Sequence, residues 1–324
     1  MVPSPTNSRA STWPRRFALG AAAAAVPLFV FGGAVTTLEA GMAVEGWLNA
    51  EGHFLPLFPV EKWLRDPGTF VEHTHRLFGM LVGLFAIGLV VSTWLTDRRR
   101  AARALATLSL LAVCAQGTLG GFRVLENSPR LAFLHGVLGQ GVFALLAVTA
   151  AYLSRRGAPT ASTTSGAAGL RRLALFAFAG VYAQIAVGAW YRHGLRPTPE
   201  EGVEARLMLH LAGAMVVFGL LAALSGALAR EEGQPSLAGA AGRLRWLLGL
   251  QLALGFGAWT GRGLPAAELV FSVLHVLVGA LLLAQCAAVV MDTRRGSAPV
   301  PESQDGRTPG APEPRGAQGI GGAA

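Results

Sequence analysis

Apolar residues gather in eight blocks, each long enough to cross hydrocarbon, at about residues 17–38, 71–95, 104–124, 131–153, 173–191, 206–229, 244–260 and 268–291. A bilayer interior offers the backbone no water to bond, so a continuous apolar block there is expected to be a helix. Most of the polar segments between blocks are short. Two are longer: residues 39–70, and the linker "SRRGAPTASTTSGAAGLRR" at 154–172.

The small, polar linker divides the blocks four and four. The halves echo one another in order. Block 2 has "HRLFGMLVGL" and block 6 "HLAGAMVVFGL"; block 3 has "QGTLGG" and block 7 "QLALGF"; block 4 has "LHGVLGQ" and block 8 "LHVLVGA". An even number of crossings per unit makes the repeats parallel, related by an axis along the membrane normal. The fold class expected is therefore an all-α membrane protein, eight transmembrane helices as two repeated four-helix bundles. The N-terminal bundle occupies 17–153 and the C-terminal bundle 173–291, with 1–16 as N-terminus and 154–172 as linker. The remainder, 292–324, is rich in Pro and Gly and reads as a disordered tail. Within 39–70, "GWLNAEGHFLPLFPVEKW" mixes Trp, Phe and Pro, which suggests a short amphipathic element lying on the outer face.

Charge then sets the orientation. The 324 residues are 52% hydrophobic and 14% charged, with a formal charge of +9. The basic residues sit in clusters between blocks rather than on one surface, which argues against nucleic acid as a partner. Eighteen of the 27 Lys and Arg fall at the N-terminus, the 96–103 turn, the linker, the 230–245 loop and the tail. That side is expected to be cytoplasmic, with both termini, in a multi-pass protein of the cell (inner) membrane. Arg15 and Arg16 before an apolar run resemble a twin-arginine export signal, but the run continues to Leu38, too long for such a signal, and reads as a retained anchor. Cys114 and Cys286 both lie inside apolar blocks and read as small hydrophobes.

His75, His135, His210 and His275 all fall on even-numbered blocks, four to seven residues inside the outer boundary, about 6–10 Å deep at ~1.5 Å per residue. Small residues follow one turn later, at Gly79, Gly139, Gly213 with Ala214, and Gly279, leaving room for a flat group beside each imidazole. Facing histidines in a bundle are a standard way of holding haem iron from both sides, so two pairs imply two haems. Zinc would need further Cys, Asp or His at each site. The alternative is four interhelical hydrogen-bonding histidines. Arg76, Arg123, Arg192, Arg206 and Arg262 lie near outer helix ends and are candidate partners for haem propionates, with interfacial snorkelling as the alternative. Glu72 precedes His75 by three residues and Arg76 by four, so acid and base can neutralise one another. His73 points elsewhere and reads as exposed. The counterpart of Glu72 before His210 is Leu207, so the two sites are unequal.

With "EHTHRLFG", "QGTLGGFRVL", "LHGVLGQ", "YAQIAVGAWYRHG", "LHLAGAMVVFG" and "LHVLVGA" in order, and "GGAVTTLEAGMAVEGW" closing the first block, the chain resembles haem A synthase over about residues 25–290. The resemblance implies oxidation of a ring methyl of haem O, the substrate, to the formyl group of haem A by successive hydroxylations, supplying terminal oxidases. It implies that His75 and His135 bracket the substrate haem, that His210 and His275 bind a permanent haem b cofactor, and that Glu72 is the catalytic acid. It also implies, as partners, membrane lipid, haem O synthase, cytochrome oxidase assembly factors and an electron donor whose identity is not implied. The cysteine pair of some bacterial relatives is missing from 39–70 here, so thiol-linked electron input is not implied. A two-haem b-type cytochrome that only transfers electrons from quinol is the alternative. A transporter built from paired repeats is a third reading, disfavoured because no block is broken at mid-membrane.

Overall fold

The computed structural model describes residues 11–154, 167–193, 200–231 and 234–295. The described residues are overwhelmingly helical: α1 (Trp13–Thr37), α2 (Val60–Trp63), α3 (Pro67–Thr96), α4 (Arg100–Leu125), α5 (Pro129–Ser154), α6 (Ala167–His193), α7 (Glu200–Ala229), α8 (Pro235–Thr260) and α9 (Pro265–Arg295). Apart from α2, each has 25 to 31 residues, and at ~1.5 Å per residue even the shortest exceeds a hydrocarbon core of about 30 Å. The protein is an all-α multi-pass membrane protein. Most of the expected linker and nearly all of the expected tail lie outside the described residues.

Seven of these helices are long and apolar enough to cross a membrane. The exception is α8, counted as a crossing in the sequence. Its length matches the others, but Arg243 and Arg245 on its first half and Gly249, Gln251, Gly255 and Gly257 beyond dilute its apolarity. Arg243 is tied to Gln285 of α9 at 3.1 Å and Arg245 to Ser225 of α7 at 3.2 Å, so α8 is held by polar contacts as well as by packing.

Contacts run around two closed circuits. In the first, α1 packs on α3, α3 on α4, α4 on α5 and α5 back on α1; in the second, α6, α7, α8 and α9 repeat that order. The two bundles meet where α9 packs on α1 and α5, and α5 packs on α6. One apolar core runs through both, with Ala21, Ala24 and Ala25 of α1, Ala174 and Ala177 of α6, and Ala280 and Ala284 of α9 at its closest approaches. Small side chains let membrane helices approach closely enough for dispersion to hold them. Cys286 is buried in this core and Cys114 is exposed on α4; both are free thiols. The outward faces stay apolar, as with Leu84, Ile87 and Val91 of α3 and Met215 and Val216 of α7, a surface suited to lipid rather than water.

The segment between α1 and α3 folds into a small cap. Strands β1 (Asn49–Ala50) and β2 (His53–Phe54) pair antiparallel, Ala50 opposite His53. Their two-residue loop needs positive φ at both positions, and Glu51 (φ 47°) and Gly52 (φ 81°) supply it. A 3₁₀ turn (Leu55–Leu57) and α2 follow, and Val44, Ala50, Leu55 and Phe58 bury their side chains with Trp63 and Leu77 beneath. The amphipathic element expected from the sequence is thus α2 together with this hairpin. The cap ends at Asp66, which caps α3 by accepting the Thr69 N–H at 3.0 Å and its hydroxyl at 2.8 Å.

Candidate functional site: two imidazole pairs under a capped end

The four histidines of the even-numbered blocks meet two by two. His75 of α3 faces His135 of α5 with ring centres 6.4 Å apart and planes at 76°; His210 of α7 faces His275 of α9 at 6.3 Å and 69°. One pair belongs to each bundle. No group of three or more His, Cys, Asp or Glu side chains able to hold a metal ion occurs among the described residues.

Each imidazole is placed by the helix preceding its own. At Gly32, Gly120, Gly188 and Gly255, an added Cβ would lie 2.8–2.9 Å from Cε1 of His75, His135, His210 and His275 respectively. A methyl group there would displace the ring. Four residues before each glycine, one helical turn back, stands the residue that holds the ring's Nδ1. Gln116 puts its amide nitrogen 3.0 Å from Nδ1 of His135 and 2.6 Å from that residue's carbonyl oxygen. Gln184 does the same to His210, at 2.9 and 2.7 Å. Nδ1 of His75 donates to the carbonyl oxygen of Leu28 at 3.0 Å, and Nδ1 of His275 to that of Gln251 at 3.2 Å. Those carbonyls are reachable because the residue four further along each helix is glycine and offers no side chain to cover them. The Gln251 amide also reaches Nε2 of His275, at 3.1 Å, with its own Oε1 buried and without a partner.

This pattern, Gln or Leu, three residues, then Gly, on all four odd-numbered blocks, escaped the sequence reading. Its signal was present in "QGTLG", "QIAVG" and "QLALG", with "LFVFG" as the divergent fourth. The pattern also revises the role of the glycines after each histidine. An added Cβ at Gly79, Gly139 and Gly279 would lie 3.9, 3.0 and 3.5 Å from Leu28, Gln116 and Gln251, and one at Gly213 would strike Gln184. They make room for the holding residue rather than for a flat group.

Glu72 and Arg76 form the expected ion pair, 2.7 Å long and almost wholly buried. They do more than neutralise one another. Glu72 Oε2 accepts the Val44 N–H at 2.8 Å, and Arg76 donates to the carbonyls of Val44 and Gly46, each at 2.7 Å. The cap is thereby fastened to α3 within a turn of His75. His73, expected to be exposed, is buried at 1% exposure between Phe58 and Trp63. A sequence reading that leaves out the cap sees that face of α3 as open.

The remaining arginines scatter around this end. Arg123 lies against Gly41 of the cap, where any side chain would strike its guanidinium. Arg192 of α6 donates to the Gly33 carbonyl at 3.0 Å and to the Thr37 hydroxyl of α1, stitching the two bundles together. Arg206 is buried over Trp190 at 5.5 Å, and Arg262 bonds the Trp259 carbonyl at 3.1 Å beside that ring. His193, next to Arg192, reaches across to the other bundle, where an added Cβ at Gly136 would lie 3.4 Å from its Nε2. It is a neighbour of His135 that sequence reasoning had not connected with the site.

Residues 15–195 match the cytochrome oxidase assembly protein family (COX15-CtaA), more than half of the chain. The chain belongs to that family. The match covers the first bundle, with Glu72, His75 and His135, and the whole of α6. His210 and His275 lie beyond it, and their place in the site rests on the geometric repeat. No curated protein matches the chain.

Proposed function

We propose that the protein is a haem A synthase, oxidising a ring methyl of haem O to a formyl group by successive hydroxylations, with haem b as its resident cofactor. The observation that carries this reading is the ring spacing within the two pairs. A metal held between two imidazoles needs two bonds of about 2 Å, plus about 1 Å from each nitrogen to its ring centre, or roughly 6 Å between centres. Both pairs meet that spacing, at 6.4 and 6.3 Å. Membership of an oxidase assembly family supports the same conclusion.

His75 and His135 hold the substrate haem O, because Glu72 belongs to their bundle and the other has Leu207 in its place. Haem b between His210 and His275, when bound, supplies one-electron transfer to the neighbouring site. Glu72, buried and paired with Arg76, stands one turn from His75. As a carboxylate it stabilises cationic character developing at the methyl carbon, and it has lone pairs beyond its two present hydrogen bonds with which to take a proton. Arg76 and Arg192 are committed to protein oxygens, so propionate binding at the first pair falls to Arg123. The cap excludes water above the pair. The basic clusters at the opposite helix ends, such as Arg98 to Arg100, support an extracytoplasmic position for the capped end in the cell membrane.

The test is to express the protein with a source of haem O and weigh the extracted haems. Haem A or its hydroxylated precursor supports the reading; unchanged haem O beside a redox-active haem b makes the protein an electron carrier. Glu72→Gln is expected to stop conversion and spare the haem b spectrum, and continued conversion removes Glu72 from the chemistry. His210→Ala and His275→Ala are expected to deplete haem b.

A further inference from the structure

The four imidazoles are held in two chemically different ways, and the difference repeats in both bundles. Nδ1 of His75 and of His275 faces a backbone carbonyl, which can only accept. The ring proton therefore sits on Nδ1 and leaves Nε2 unprotonated, although in His275 that nitrogen accepts from the Gln251 amide at 3.1 Å. Nδ1 of His135 and of His210 faces the amide nitrogen of Gln116 and Gln184, which can only donate. In those neutral rings the proton sits on Nε2, the nitrogen a metal would need. The amide cannot simply be read the other way round, because the same nitrogen lies 2.6 or 2.7 Å from a carbonyl oxygen and must donate to it.

We infer that Gln116 and Gln184 are positioning residues whose amides hold the planes of His135 and His210 and, once Nε2 of those rings is bonded to iron, shift so that the amide oxygen meets the Nδ1 proton while the amide nitrogen keeps its bond to the histidine carbonyl. This rests on the reading of the pairs as haem ligands. Ligation moves the proton from Nε2 to Nδ1, so a donor would then face a donor. The acceptor nearest at hand is the oxygen on the same amide carbon. Each amide lies against a glycine, Gly139 or Gly213, where any side chain would crowd it. A hydrogen bond accepted from Nδ1–H makes the imidazole a stronger donor to its metal. Each pair thus combines one imidazole whose proton already sits on Nδ1 with one whose proton is placed by a glutamine amide.

The test uses the purified full chain loaded with haem b, comparing wild type with Gln184→Met and Gln184→Glu. Methionine keeps the volume and removes both hydrogen bonds. It is expected to raise the haem b midpoint potential and to release haem to apomyoglobin about tenfold faster. Glutamate accepts from Nδ1–H more strongly and is expected to move the potential the opposite way, below wild type. Packing damage alone does not produce shifts of opposite sign. Unchanged potentials in both variants at full haem occupancy overturn the inference. Failure of both variants to fold also overturns it, since the glutamine then serves packing. A wild-type protein without low-spin haem, or one whose haem survives His210→Ala, defeats the ligand reading itself.

Discussion

Glu72 Oε2 accepts the backbone N–H of Val44 at 2.8 Å, across 28 residues of sequence, while its other oxygen takes Arg76 at 2.7 Å. One carboxylate therefore fastens the cap and stands one turn from His75. The carboxylate is held in place by the cap it anchors, and the cap is fastened by the side chain it covers.

Removing that carboxylate separates the two roles. Glu72→Ala leaves a buried guanidinium without its counter-ion and the Val44 N–H without an acceptor, a loss of about 3 kcal/mol. Limited proteolysis in detergent is expected to cut within 39–66 much faster than in wild type. Glu72→Gln keeps one acceptor and is expected to fall between the two. Cleavage at the wild-type rate in Glu72→Ala would show that the cap is held by its apolar contacts alone.

Gly188 lies against His210, with an added Cβ 2.9 Å from Cε1. Gly188→Ala must push the imidazole off its position, with overpacking of about 1–3 kcal/mol. Haem b absorption is expected to fall sharply while the His75 and His135 pair is unaffected. Gly219→Ala on α7, where an added Cβ meets nothing within 4 Å, is the control and is expected to keep full absorption.

The planes within the pairs cross at 76° and 69°, closer to perpendicular than to parallel. Crossed imidazole planes act on different iron orbitals and leave two of them nearly degenerate, which gives a low-spin ferric haem a strongly anisotropic electron paramagnetic resonance signal. That large low-field g value is the expected spectrum of the loaded protein. A rhombic signal of the parallel-plane type would contradict the ring orientations.

The helices were legible because apolar length and the absence of charge are properties of single segments. The histidine pairing was legible because four similar residues recur at one depth. What escaped depends on neighbours. His73 reads as exposed until the cap is folded over it, and the cap forms through a two-residue turn and a handful of apolar contacts too short to give a periodic signal. Gln116 and Gln184 carry no signal of their own in the sequence, since their meaning lies in an imidazole on another helix. The glycines were visible, but whether they face a ligand or a glutamine is decided by packing alone.

Asp66, just before α3, is held below its ordinary value near 3.8 by the Thr69 N–H and then by the Thr69 hydroxyl. A carboxyl with a depressed folded value contributes stability above its unfolded value and loses it as pH falls through the folded one. Exchange of the Thr69 amide is therefore expected to stay slow down to the ordinary carboxylate range and to rise only below it. Asp66→Ala is expected to exchange quickly at every pH.

Leu28 is the one departure from glutamine among the four holding positions, and it serves His75 with its backbone carbonyl alone. By the repeat its counterpart in the second bundle is Gln184, which holds His210 through its amide; the other imidazole held by a backbone carbonyl is His275, to which the Gln251 amide adds a further contact. His75 is thus the imidazole with the fewest side-chain restraints, and on the proposed function it belongs to the site where haem must enter and leave. Leu28→Gln would complete the pattern, with Gly79 leaving room for the added amide. The variant is expected to retain haem at the first pair about tenfold longer in transfer to apomyoglobin, and to turn over more slowly because product release is held back. Faster release, or release unchanged beside a folded protein, would show that the leucine is there for packing and that exchange is governed elsewhere, with the cap as the next element to test.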